Sequence, residues 1–138
     1  MIEQLDHIAI AVSSLEEAIP FYRDALGLPF LGYEEVPEQQ VKVAMFQLGS
    51  SRIELLEPLS EESPISKFLA QRGNGLHHIA LRTHSLASDL DGLAEQGLRL
   101  IDRHPRLGAG GQQIAFVHPK ASHGVLLELT QPGGPGVE

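Results

Sequence analysis

An internal repeat constrains the fold of this chain more than any other feature. Residues 5–15, with the sequence LDHIAIAVSSL, match residues 76–86, LHHIALRTHSL, at an offset of 71. The same offset aligns residues 43–46 with residues 114–117. Because units of this size do not each close a core alone, we expect the two copies to pack against each other as modules of one fold.

Each copy carries one histidine and one glutamate in corresponding places. His7 aligns with His78, and Glu54 aligns with Glu128 at an offset of 74. A lone histidine or glutamate in a strand is usually a packing or surface residue. Here both glutamates lie in apolar runs, where an unpaired charge is costly. Their repetition predicts one metal site with four ligands: His7, Glu54, His78 and Glu128.

The ligand types indicate which class of metal ion this site would bind. Imidazole nitrogen and carboxylate oxygen in equal number suit a divalent first-row metal. Cobalt, nickel, manganese and zinc all satisfy the set, and we name cobalt as the first candidate. Four protein ligands leave two octahedral positions for substrate or water, whereas structural sites are more often closed and tetrahedral. The pattern therefore favours a catalytic metal.

Composition narrows the class of protein. The 138 residues, 42% of them hydrophobic, suffice for one compact domain with its own core. The chain has no cysteine, which excludes disulfides and thiolate metal sites. The net charge of −8 argues against nucleic-acid binding. The sequence has no membrane-length apolar run and no targeting leader, so we expect a cytoplasmic protein that does not bind membranes.

The first module, about residues 4–58, is predicted to have the order βαβββ. Residues 5–12 form a strand with His7 on its small-residue face. An amphipathic helix follows from Leu15 to Leu26 behind a serine cap, and Pro20 is expected to bend it. Three further strands are predicted at 30–36, 41–48 and 52–56.

The linker and the second module follow. The linker, residues 59–74, contains a short helix that is capped by Ser63 and ends at Gly73. The second module, about residues 75–131, repeats the first, and the tail 132–138, rich in glycine and proline, is expected to be flexible. The predicted elements of this module are strand 76–82, helix 86–96, strand 98–103, strand 113–118 and strand 125–130. Residues 1–138 are thus expected to form a single α+β domain whose curved mixed sheet surrounds the metal.

Several motifs resemble a known family. The opening DHIAIAV, the four proposed ligands and the paired βαβββ modules resemble the vicinal oxygen chelate superfamily. Within it, stretches outside the ligand set resemble the methylmalonyl-CoA epimerase family. These stretches are PEQQV at 37–41, IELLEPL at 53–59, SPI at 63–65, GLHHIA at 75–80, HPK at 118–120 and GVLLEL at 124–129. The resemblance covers about residues 5–131.

This resemblance implies an isomerase acting on an acyl-CoA. In the family, one proton moves at C2 of methylmalonyl-CoA through a metal-stabilised enolate, which interconverts the 2R and 2S forms. By the same resemblance, Glu38 and Glu128 are the two acid–base residues, and His118 and Lys120 bind substrate oxygens. Glu38 has no counterpart in the repeat, which suits asymmetric chemistry. A homodimer is also implied.

Other functions stay open at this point. A glyoxalase I-like lyase uses a comparable set of two histidines and two glutamates, so the ligands alone do not separate it from an epimerase. A non-enzymatic module that sequesters an antibiotic would not need ligands in both halves. An extradiol dioxygenase would use two histidines and one carboxylate, and the fourth ligand argues against that arrangement. The stretches outside the ligand set favour the epimerase.

Overall fold

The computed structural model describes residues 1–133, and its contacts divide these residues into two compact units. The first unit comprises residues 7–77. The second comprises residues 1–6 together with the described residues from 78 onward. The last five residues of the predicted flexible tail, 134–138, lie outside the described residues. The assignment of residues 1–138 to a single domain stays a prediction.

The first unit has the predicted βαβββ order followed by the linker helix. Its sheet has the strand order β2-β3-β4-β1, in which β1 runs parallel to β4 and the other neighbours are antiparallel. The elements are β1 (Ile2–Ala11, of which residues 7–11 belong to this unit), α1 (Leu15–Pro20), β2 (Phe30–Val36), β3 (Val41–Leu48), β4 (Ser51–Pro58) and α2 (Pro64–Arg72).

The predicted single helix from Leu15 to Leu26 is wrong in its second half. Ser14 caps α1 by accepting a 3.1 Å hydrogen bond from the Glu17 amide. The α-helix ends at Pro20, because proline lacks an N–H and its ring conflicts with the carbonyl four residues earlier. The chain then widens into a π-helical turn, in which the Leu26 amide bonds the Phe21 carbonyl at 2.9 Å.

The second unit also has a βαβββ order, in which β5 runs parallel to β8 and the other neighbours are antiparallel. Its strand order is β5-β8-β7-β6. The elements are β5 (Gly75–Thr83, of which residues 78–83 belong to this unit), α3 (Leu86–Glu95), β6 (Arg106–Leu107), β7 (Gln113–Val117) and β8 (Leu127–Gln131).

The predicted strand at 98–103 is wrong. This segment forms one isolated bridge, between Leu100 and Val117. The Asp102 carboxylate accepts the Phe116 amide at 2.9 Å and so replaces a ladder acceptor. Pro105 has no donor for a ladder. The edge strand of this unit is therefore the two-residue β6, which begins just after that proline.

Each sheet packs one face on its own helix. In the first unit the core is Val12, Leu15, Ile19, Ala44, Phe46 and Leu55. In the second it is Leu86, Leu90, Ala115, Val117 and Leu129. Side chains alternate along a strand, so the neighbours of these core residues project from the opposite face of each sheet. No helix among residues 1–133 is long and apolar enough to cross a membrane.

Candidate metal centre

The register of the first unit brings His7 and Glu54 together. Ala9 of β1 is the parallel partner of Glu54 on β4, and His7 lies two residues before Ala9. All three side chains therefore share the face opposite the helix, as the sequence pattern predicted for His7. His7 and Glu54 are 4% and 3% exposed, and His7 Nε2 lies 3.5 Å from Glu54 Oε1.

The second unit repeats this register. Ala80 is the parallel partner of Glu128 on β8, and His78 lies two residues before Ala80. His78 and Glu128 are both 6% exposed, and His78 Nε2 lies 2.9 Å from Glu128 Oε1. Phe116, the antiparallel partner of Glu128, places its ring edge-on to His78 with 5.3 Å between centroids. The histidine is thereby held from one side by an aromatic ring.

The two pairs have the chemistry of metal ligands. In each unit the same imidazole nitrogen, Nε2, faces a carboxylate oxygen in a buried place, where a carboxylate needs a compensating partner. Nitrogen and oxygen donors of this kind fit a divalent first-row metal. The residues predicted from the repeat therefore fit such an ion, pair by pair, although nothing in the geometry selects one metal.

Arg52 contacts Glu54 on the same strand, a contact that was not predicted from the sequence. Its Nε and Nη2 donate to Glu54 Oε2 at 3.2 and 3.0 Å. The spacing of two residues along β4 could have indicated this contact, because it puts both side chains on one face. The corresponding position of the second unit, at the offset of 74, holds Leu126. The arginine is thus not part of the repeat.

Glu38 lies in the turn that connects β2 and β3 of the first unit. It occupies a 3₁₀ turn, Pro37–Gln39, between β2 and β3, and it is exposed. After the turn, Val41 of β3 pairs with Pro58 of β4, and Glu54 is four residues before Pro58 on β4. Four residues of strand correspond to about 13 Å, so Pro58 and Glu54 are separated by about that distance along β4. Glu38 therefore lies outside the strands that carry His7 and Glu54, and its role stays a prediction.

His118 and Lys120 follow the end of β7. The Lys120 amide donates to His118 Nδ1 at 3.0 Å. Partial burial, followed by the positive charges of Arg99 and Lys120, holds the pKa of His118 below its usual value. The ring is therefore neutral near pH 7, and because Nδ1 accepts a bond, the proton sits on Nε2. Lys120 itself is exposed. The pair can offer one neutral donor and one cation to an oxygen-rich ligand.

The fold and these buried pairs define a class. Residues 6–116 match the family described as the Glyoxalase/Bleomycin resistance protein/Dioxygenase superfamily. The chain belongs to this superfamily, and the predicted α+β fold built from βαβββ modules is confirmed.

Particular relatives narrow the class. The chain is 51% identical to the uncharacterised protein YqjC of Bacillus subtilis, over 95% of this chain and 94% of that one. It is 40% identical to the ethylmalonyl-CoA/methylmalonyl-CoA epimerase of Cereibacter sphaeroides, over 95% of this chain and 99% of that one. A solved methylmalonyl-CoA epimerase in complex with methylmalonyl-CoA and NH4⁺ is 38% identical, with a TM-score of 0.92 and coverage of 100% and 99%. The predicted resemblance to these epimerases is confirmed.

Proposed function

We propose that this chain is a metal-dependent epimerase that interconverts (2R)- and (2S)-methylmalonyl-CoA. The observation that carries the proposal is the buried His–Glu pair, repeated in the same register in both units. Similarity over nearly the whole chain to epimerases, at 38–40% identity and with one of them solved with methylmalonyl-CoA, supports the choice of substrate. The uncharacterised Bacillus relative does not distinguish this substrate from another acyl-CoA.

The metal proposal assigns four ligands to one divalent ion: His7, Glu54, His78 and Glu128. Cobalt is the first candidate, followed by nickel, manganese and zinc. When bound, such an ion would stabilise the negative charge that develops on a thioester oxygen. The chain's own part is to present two buried donors in each unit, held by the strand register of that unit.

The proton chemistry is assigned to Glu38 and Glu128. One carboxylate removes the proton from C2, and the C–H electron pair moves toward the thioester carbonyl. The other glutamate, in its acid form, then delivers a proton to the opposite face of C2, and the electron pair returns to form the new C–H bond. Two groups on opposite faces are needed because the carbon is planar between the steps. Glu38 has no counterpart in the second unit, which suits a role on one face of C2 alone.

We assign the binding of substrate oxygens to His118 and Lys120, which follow β7. The Nε2–H of neutral His118 would donate to a carbonyl or carboxylate oxygen, and the ammonium of Lys120 would attract a negative group. A homodimer in the cytoplasm, expected from the resemblance and the composition, is part of the same proposal. Size-exclusion chromatography with light scattering at two protein concentrations tests the dimer.

Hydrogen exchange at C2 tests the function. Protein stripped with a chelator is incubated with (2R)-methylmalonyl-CoA in D2O, with and without added Co²⁺, and the C2 and methyl signals are followed by proton NMR. We expect Co²⁺-dependent deuterium uptake together with loss of stereochemical purity. Folded protein that shows no exchange with Co²⁺, Ni²⁺, Mn²⁺ or Zn²⁺ would refute the epimerase. The hemithioacetal assay would then test the glyoxalase I-like lyase.

A further inference from the structure

The Arg52–Glu54 contact breaks the symmetry of the two His–Glu pairs. Both donors of Arg52, Nε at 3.2 Å and Nη2 at 3.0 Å, converge on one carboxylate oxygen, Oε2. The other oxygen, Oε1, is the one that lies 3.5 Å from His7 Nε2. The two oxygens of Glu54 thus have different neighbours: Arg52 contacts Oε2, and the imidazole of His7 lies beside Oε1.

The contact between Arg52 and Glu54 is largely buried, which strengthens it. The side chain of Glu54 is 5% exposed and that of Arg52 is 21% exposed, so water competes weakly for the contact. Charge-assisted hydrogen bonds of this kind are about twice as strong as neutral ones. Arg52 also pairs in register with His7 on β1, so the two residues lie side by side on the same face of the sheet.

We infer that Arg52 is a positioning residue that restricts Glu54 to a single metal-binding oxygen. This inference rests on the proposed metal site and deepens it. A carboxylate held at Oε2 would present Oε1 alone to a bound ion, and would thereby leave a coordination position for a substrate oxygen. The second unit has no equivalent arginine, since Leu126 stands at the position that corresponds to Arg52.

Replacing Arg52 by leucine, the residue at the corresponding position of the second unit, tests the inference. In Arg52→Leu, Oε2 loses both donors, and Glu54 can offer two oxygens to the ion. We expect Co²⁺ binding by calorimetry to persist, because the four ligands remain, while the visible absorption spectrum of the Co²⁺ form changes. We expect KM for methylmalonyl-CoA to rise by about tenfold or more, within the range usual for residues that orient metal ligands, with a smaller change in kcat. Arg52→Lys, which retains one charged donor group, should fall between.

Arg23→Leu is the matched control. Arg23 also forms an arginine–carboxylate pair, with Asp24 at 2.9 Å, but both side chains are largely exposed. Its Co²⁺ spectrum and KM should equal those of the native protein. An unchanged spectrum and KM in Arg52→Leu would overturn the inference, and so would complete loss of Co²⁺ binding, which would make Arg52 a requirement for the site itself. The spectrum and the calorimetry need no turnover, so failure of the epimerase assay in native protein is a separate result.

Discussion

Replacement of His78 by alanine tests the metal centre through stability. In metal-free protein the change removes the imidazole that lies 2.9 Å from the buried carboxylate of Glu128. Removal of one partner of a buried pair costs about 3–5 kcal/mol. Loss of the edge-on contact between the His78 and Phe116 rings adds about 1 kcal/mol. We expect the free energy of unfolding of the metal-free variant to fall by roughly 4–6 kcal/mol, which lowers Tm by roughly 15–20 °C for a chain of this length.

Metal binding supplies the second part of this prediction. An ion that binds only the folded state stabilises it by about 2.7 kcal/mol when free metal exceeds Kd a hundredfold. Addition of Co²⁺ to native protein should therefore raise Tm by roughly 10 °C, and the chelator should reverse the change. In His78→Ala the same Co²⁺ concentration should give little or no increase, because one of the four proposed ligands is gone.

His77→Ala is the matched control for this experiment. His77 is the neighbouring residue and lies on the other face of β5, where its ring contacts Phe68 edge-on with 5.0 Å between centroids. Its replacement should cost about 1 kcal/mol and leave the Co²⁺-dependent rise in Tm intact. Differential scanning fluorimetry at fixed protein concentration measures all three proteins. A full Co²⁺ response in His78→Ala would refute the assignment of His78 as a ligand.

Three further predictions concern other parts of the chain. Glu38→Gln should lower kcat by at least about a hundredfold with an unchanged Kd for Co²⁺. Glu35→Gln, on the exposed face of β2, should leave both values as they are. Full activity of Glu38→Gln in the deuterium assay would exclude the two-glutamate scheme. Leu90→Ala should reduce the free energy of unfolding in urea by about 3–5 kcal/mol because Leu90 is fully buried, and Leu26→Ala, at a residue 53% exposed, should cost below about 1 kcal/mol. His118 should titrate by NMR at a pKa below that of a free histidine. Its protonation therefore opposes folding, so it has no effect on stability well above the unfolded-state pKa of about 6.5 and lowers stability as pH falls below that value. A measured pKa at or above about 6.5 would contradict the partial burial of the ring.

Local patterns in the sequence were sufficient for most elements. Ser63 caps α2 and Pro64 begins it, as predicted, because both residues act on the first helical turn alone. The face of β1 that carries His7 was also readable, since alternation along a strand depends on nothing beyond the strand. The disturbance at Pro20 was foreseen, but its form, a π-helical turn, was not, because the ring excludes an α-helix without choosing its replacement.

Errors arose where a side chain competes with the backbone. The apolar content of residues 98–103 suggested a strand. The Asp102 carboxylate instead bonds the Phe116 amide, fourteen residues away in sequence, and ends the regular ladder. Such a competition depends on which strand lies alongside, and periodicity within one segment does not contain that information.

The sequence by itself determined the repeat, the residue types of the two His–Glu pairs and the strand face that carries each member. These properties follow from spacing along the chain, which folding does not alter. Only the tertiary structure decided that Ala9 pairs with Glu54 and Ala80 with Glu128, because parallel pairing joins strands more than forty residues apart. It also decided that Arg52 contacts one oxygen of Glu54, since the burial that keeps water from that carboxylate exists only once β1, β3 and β4 have formed a sheet.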